Sequence, residues 1–418
     1  MNFSIFFLFK FLLLFLNIKK TEQDNSHSNL PRIEIQLDFD NKTKQLTSTS
    51  FFSSENTPIT QSIDISSSKS WINDKSINMD LQRQSYESFT YQGLNPFTIF
   101  GESHGAKITL KNQKDIKLSL PQYEWFIYHS EQGMVPNTGC LALGRTFETE
   151  EDDLILSLYK KQKIIMPVFS ISYLSDKKGG ILGIGDIAEI LFEYREYNSF
   201  ISVIEQDEKW RSNLTYIFFG DLPDQYISNI DIAEYRYIIT QNFIIINYPA
   251  YFSTIDKYIV VPSDFIDYLE RYYFRKYKFC SKVTKDGNSI IECNKEKTLA
   301  IIDTFPNINF VFDGVAYIIE AKNLFEESET SKDMLTFVIV SYKSNTEWIM
   351  GYYFMRNFFI TFFRDTPTIS IFSLLNKAYV ILDTWSKKKT NNIIKNIIHT
   401  IIAFSIIGLM LLLSLKLL

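Results

Sequence analysis

The chain is predicted to be all-β, folded as two β-rich lobes with a few short helices and followed by a C-terminal transmembrane helix. Three observations predict this. From Asn95 onward, short apolar runs recur between Gly, Pro, Asn and Asp, as strands bounded by turns do. Aromatic residues make up 16% of the chain, and the abundant Phe, Tyr, Ile and Thr favour strands. A chain of 418 residues is too long for one compact core and suits two lobes of ordinary size.

Residues 3–16 are apolar apart from Lys10 and read as a signal peptide ending near residue 20, with an uncleaved anchor as the alternative. Residues 21–50 are polar, with a weak alternation at Ile33–Asp38 that suits an edge strand or a pro-segment remnant. An N-terminal β lobe follows over 51–200, with separate strands at 97–100, 108–110, 116–120 and 125–128. A helix is expected over 152–163, with acids at its start and Lys160, Lys161 and Lys163 at its end, matching the helix dipole. The C-terminal β lobe spans 201–385. It holds a helix over 262–276, opened by the cap signal Pro262-Ser263-Asp264, with Phe265, Ile266, Leu269, Tyr272 and Tyr273 on one face. Residues 397–415 are almost wholly apolar and long enough for one membrane crossing, for which about 20 residues are needed. A single-pass type I membrane protein of the secretory route is expected, its β lobes lumenal or extracellular, at the cell surface or an endomembrane. A lipid-anchor signal is the alternative.

The net charge of −5 and the lack of a basic patch interleaved with aromatics argue against nucleic acid as a partner. Cys280 and Cys293 flank a short polar loop and are expected to form a disulfide across a hairpin. Cys140, among apolar residues and Gly, reads as an inert buried thiol. Three cysteines without ligand spacing and four scattered His residues predict no metal site and no cofactor. Asn41 and Asn213 open glycosylation sequons.

One stretch carries more chemistry than the rest: Ser62-Ile63-Asp64-Ile65-Ser66-Ser67-Ser68-Lys69-Ser70-Trp71-Ile72. It resembles the first active-site segment of the pepsin-like aspartic peptidases, apolar-Asp-Thr-Gly-Ser-Ser-x-x-Trp-Val. Further segments follow in the family's order. Phe97–Gly101 is similar to the flap strand, with Phe100 where a Tyr is usual. Thr138–Gly144, Gly179–Asp186, Trp210, Ile301–Phe310 and Trp348–Phe359 are similar to later strands. The resemblance runs from about Ser53 to Ser373 and implies a bilobal fold built by internal duplication.

The resemblance also implies a mechanism. Two facing carboxylates share one proton, because like charges held close cannot both ionise. The ionised one activates a water, and the protonated one donates to the scissile carbonyl. Each loop is expected to need a Gly for its tight turn and a Thr that braces the pair. Here Asp64 is kept, but Ile65 replaces the Thr and Ser66 the Gly. In the second loop, counting back nine from Pro262, Ser253 stands at the Asp position, Thr254 keeps the Thr and Ile255 replaces the Gly. Ser67, Phe100, Gly101 and Thr254 are the candidate substrate-binding residues, and Asp64 and Ser253 the candidate catalytic positions. Asp256 falls three residues late, so its side chain is expected to need a rearranged turn. Asp303 and Asp383, each followed by Thr, read as structural acids.

Three readings follow. A monomeric, membrane-anchored pseudo-peptidase would bind a peptide or protein in its cleft without cutting it. An active aspartic endopeptidase would use Asp64 with an unorthodox partner. A β-rich surface antigen would have kept the fold without a working cleft.

Overall fold

The computed structural model describes residues 33–40, 45–52, 57–73, 87–91, 97–111, 117–128, 139–146, 153–174, 179–185, 199–204, 208–220, 243–285, 287–329, 331–343 and 345–373. The apolar runs at 3–16 and 397–415, Asn41 and Asp383 lie outside them. Among the described residues no helix is long and apolar enough to cross a membrane. The chain divides into two compact units, Met1–Glu193 with Thr361–Pro367, and Tyr194–Ile360 with Thr368–Leu418.

The first unit holds β1 (Ile33–Asp40), β2 (Gln45–Phe52), β3 (Thr57–Asp64), β4 (Trp71–Asn73), β5 (Glu87–Tyr91), β6 (Phe97–Lys111), β7 (Lys117–Tyr128), β8 (Gly139–Ala142), β9 (Val168–Tyr173) and β10 (Gly180–Ile184). Their order is β9-β10-β1-β2-β3-β8-β4-β7-β6-β5. A further β2–β6 pairing closes the strands from β2 to β6 into a ring. The alternation at 33–38 does form a strand, with Ile33, Ile35 and Leu37 buried and Glu34, Gln36 and Asp38 exposed, as the two-residue period requires. It is not an edge: Ile33–Leu37 pair with β10, and Asp38–Asp40 pair with β2. The four separate strands expected between 97 and 128 are two long ones, β6 and β7. Pro121 does not interrupt β7, because the register shifts between Ala106 and Ile108 and leaves Pro121 outside the ladder at that irregularity.

The first expected helix is α1 (Leu154–Lys160), shorter than 152–163. The Asp153 carboxylate accepts from Leu156 N–H at 2.9 Å and caps its start. It ends because Gln162 turns left-handed at φ 53°, while Lys163 N–H donates to Leu158 O and Gln162 N–H to Tyr159 O. That pairing is a Schellman termination, and it leaves Lys161 and Lys163 beyond the helix.

The second unit holds β11 (Ser199–Ser202), β12 (Arg211–Phe219), β13 (Phe243–Phe252), β14 (Ile259–Val260), β15 (Cys280–Lys285), β16 (Asn288–Asn294), β17 (Ile308–Phe312), β18 (Val315–Ile319), β19 (Phe325–Glu327), β20 (Met334–Phe337), β21 (Ile339–Val340), β22 (Trp348–Met350) and β24 (Thr368–Ser373); the unit boundary runs through β23 (Phe358–Phe363). A seven-stranded sheet runs β18-β17-β12-β13-β22-β14-β21, and a four-stranded one runs β15-β16-β20-β19. The β17–β18 turn is Asp313-Gly314, with φ of 47° and 80°. Positive φ at both central residues is what a type I′ two-residue hairpin turn needs. Rings fill the core beside this sheet: Phe252 lies 5.8 Å from Phe312 and 5.9 Å from Phe354 between centroids.

The second expected helix is also shorter than 262–276. It is α2 (Ser263–Tyr268), continued by one π-helical turn over Leu269–Tyr273. Pro262 occupies the cap position, and no side chain caps it. Phe265, Ile266, Leu269 and Tyr273 are buried as expected, but Tyr272 is 54% exposed. A π turn widens the helix and rotates the following residues away from the α-helical face.

Cys280 and Cys293 are directly opposite in the β15–β16 hairpin and form the expected disulfide. Replacing both with Ser is expected to lower stability by about 3 kcal/mol, the loop-closure value for a short loop. Urea unfolding with and without reductant measures it, and only the wild type should respond to reductant. Cys140 is buried and unbridged, as expected.

Candidate active-site loops

Strand register defines the two loops without reference to any motif. In the first unit Cys140 of β8 lies between Ser62 of parallel β3 and Trp71 of antiparallel β4. In the second, Ile349 of β22 lies between Tyr251 of parallel β13 and Val260 of antiparallel β14. Beyond them, β4 runs parallel to β7, and β14 runs parallel to β21. From Ser62 to Trp71 and from Tyr251 to Val260 the chain runs the same length. Two residues past Ser62 stands Asp64, and two residues past Tyr251 stands Ser253. The duplication expected from the sequence is thus a repeated four-strand arrangement, and it places Ser253 where the first unit has Asp64.

Asp64 ends β3 and is fully buried. Its Oδ1 accepts from Ser66 N–H at 2.7 Å and from Ser66 Oγ at 2.6 Å. A carboxylate in a serine-rich loop is expected from the sequence to cap local backbone N–H groups, and Ser66 N–H is the one Asp64 takes; the sequence reading of Ser66 as a replaced Gly did not foresee the second bond from its hydroxyl. Ser67 is buried, and its carbonyl accepts from Gly144 N–H at 2.8 Å. Ser70 Oγ accepts from Ala142 N–H at 2.9 Å and lies 2.9 Å from the Tyr123 hydroxyl, tying the loop's end to the strand opposite Asp64.

Neither loop needs a Gly. Among the described residues the non-Gly positions with positive φ are Gln162, Asn247 and Asp313, so Ser66 and Ile255 both keep ordinary backbone. The expected need for a Gly in each tight turn is corrected: without a left-handed φ a side chain carries no backbone penalty there. Close approach is instead demanded of the neighbouring strands. A Cβ at Gly144 would fall 2.3 Å from Ser67 O, and one at Gly351 would fall 2.2 Å from Tyr258 O and 2.5 Å from Asp256 O.

In the second loop Ser253, Thr254 and Asp256 are all buried, and Ile255 is half-buried. Ser253 Oγ donates to Asp256 Oδ2 at 2.6 Å, and Asp256 N–H donates to Ser253 Oγ at 3.2 Å. Asp256 therefore bonds the Ser253 hydroxyl from an ordinary backbone conformation. Nearby, burial first and then the charge on Asp256 push the Tyr342 phenol well up, so it stays protonated. Beyond it Lys257 pairs with Glu326 and Glu329 at 2.8 Å each, and the Tyr353 hydroxyl donates to Glu326.

Lys209 and Arg211 lie over the Tyr251 ring of β13. Lys209 Nζ sits 4.0 Å from the Tyr251 ring centroid, and both cations bond Glu347, at 3.2 and 2.9 Å. Burial raises the Glu347 carboxyl, but the two cations outweigh it and hold it below the usual carboxylate range. A depressed folded-state pKa stabilises above the unfolded value and is lost as pH falls through the folded one. With a side chain 35% exposed, Glu347→Gln is expected to cost only about 0.5–1 kcal/mol at pH 7. Urea midpoints measured from pH 7 downward should converge with wild type below the carboxylate range.

The other predicted residues are dispersed. Phe100 and Gly101 lie on β6, paired with Ser88 and Glu87 of β5, as a flap strand would be. Asp303 is exposed in a short 3-10 turn, apart from either loop. Asn213 lies within β12, its amide donating to Asn247 Oδ1 at 2.9 Å. Among the described residues no cluster of His, Cys, Asp and Glu could hold a metal ion.

The family model for eukaryotic aspartyl protease matches residues 106–374, well over half of the chain. The chain belongs to the eukaryotic aspartyl protease family. The match takes in the Ser253 loop and begins downstream of Asp64. Among solved structures, the aspartic proteinase from Irpex lacteus is similar at 12% identity and a TM-score of 0.60, over 82% of this chain and 97% of that one. Basic 7S globulin from soybean is similar at 11% identity and a TM-score of 0.62, over 82% and 98%. At these identities they show the pepsin-like fold alone. No curated protein matches the chain.

Proposed function

We propose that this chain is a pepsin-family pseudo-peptidase that binds extended peptides without hydrolysing them. The observation that carries this is the register that puts Ser253 in the place of the second Asp. Hydrolysis in this family adds water across the peptide C–N bond. The ionised carboxylate takes a proton from the water, the protonated one donates to the scissile carbonyl oxygen, and the proton taken from the water passes to the nitrogen as it leaves. A serine hydroxyl does not ionise near neutral pH and cannot replace either group, so no carboxylate stands at the second position. Losing one member of such a unit removes orders of magnitude in rate.

What remains suits binding. The β5–β6 pair offers a strand, and an extended peptide can add to a strand through main-chain hydrogen bonds while side chains set preference. The apolar run at 397–415 would hold the β units at a membrane, and the run at 3–16 would direct them there. Immobilised full-length chain incubated with a random peptide library tests the proposal. Retained peptides recovered at intact mass are the expected result. Retention no better than by a denatured control would contradict it.

A further inference from the structure

The hydroxyl–carboxylate contact in the second loop has a counterpart in the first. Asp64 carries the carboxylate at the strand end, and Ser66 supplies the hydroxyl at 2.6 Å. Ser253 carries the hydroxyl at the strand end, and Asp256 supplies the carboxylate at 2.6 Å. Both pairs are buried, with Asp64 and Ser253 at 0% exposure and Asp256 at 1%. We infer that the second carboxylate of this site has not been lost but exchanged with its hydroxyl partner inside one loop, so that Asp256 now holds it away from the strand end.

A hydrogen bond between a hydroxyl and a carboxylate survives exchange of its two ends; only the position of the charge moves. The backbone on which the exchange occurred is intact. Ser253 N–H donates to Met350 O at 3.1 Å, and Asp256 O accepts from Tyr352 N–H at 2.8 Å. The approach of Gly351 to Asp256 O fixes the main chain from which that side chain projects. No left-handed residue marks the loop as distorted. Asp256 is thus a positioning residue for Ser253, and one contact holds the site silent. This inference rests on the proposal that the wild type does not cleave, and it adds the cause.

The reciprocal exchange tests it in the full-length chain. Ser253→Asp alone would crowd two carboxylates, and Asp256→Ser alone would leave two hydroxyls. Each single variant is expected to melt about 4–8 °C below wild type, and the double S253D/D256S within about 3 °C of it. The double variant is expected to cleave a peptide library between pH 3 and 7 at least about 100-fold faster than wild type, and to lose that gain when Asp64→Asn is added. A double variant that folds and does not cleave would overturn the inference. So would one that melts no higher than the singles or fails to fold, since the loop would then not accept the pair in either order. Cleavage by wild type would defeat the pseudo-peptidase proposal instead, and the melting cycle would still judge the exchange.

Discussion

Arg364→Ala is expected to destabilise the protein by about 3–5 kcal/mol, among the largest single-residue effects in the chain. Arg364 belongs to Thr361–Pro367, the short segment assigned to the first unit although residues on both sides belong to the second. Its Nε donates to Asp153 Oδ2, its Nη2 donates to Thr146 O at 2.7 Å, and its backbone N–H donates to Pro167 O at 2.9 Å. The two charged side chains are 7% and 3% exposed. Removing the guanidinium leaves the Asp153 carboxylate buried with its charge uncompensated, and Asp153 also caps α1. Arg364→Lys should recover only part of the loss, because one ammonium does not reproduce the fork. Urea midpoints of the three proteins measure this, and a change below about 1 kcal/mol for Arg364→Ala would refute the argument.

Gly351→Ala is expected to cost about 3 kcal/mol or more, at the upper end of overpacking effects. The new Cβ would meet the backbone oxygens of Tyr258 and Asp256 at 2.2 and 2.5 Å, and backbone cannot swing aside as a side chain can. Relief requires β22 to part from the second loop, breaking the Tyr352 N–H bond to Asp256 O and the Tyr353 N–H bond to Lys257 O. Gly144→Ala should act similarly on the first loop, through Ser67 O at 2.3 Å. Thermal melts of both variants check this. A Gly351→Ala protein that melts with wild type would mean that the strand and loop are not held together as described.

Much of this was legible in the sequence, and the parts that were not share a cause. The β class, the Cys280–Cys293 hairpin and the position of Asp64 depend on neighbours along the chain, where period, turn residues and motif spacing speak directly. Strand β7 was split because Pro121 reads as an interruption unless the irregularity opposite it is known, and β6 because Gly101 and Gly105 read as breaks. Both helices were drawn too long, since a Schellman turn at Gln162 and a π turn at Leu269 are set by backbone geometry that composition does not encode. Arg364 could not be read at all, because its partner Asp153 is 211 residues away. At the site, counting from Pro262 found Ser253, but its bond to Asp256 depends on a loop held by Gly351, and spacing alone suggested that the acid fell out of reach.

The most direct test of the central claim is turnover. The full-length chain is incubated with a broad peptide library between pH 3 and 7, beside an Asp64→Ala control of unchanged circular dichroism. The account predicts no cleavage by either protein at any pH in that range. Cleavage by wild type that vanishes in the control would contradict it, and would show that Asp64 works with a carboxylate other than one at position 253.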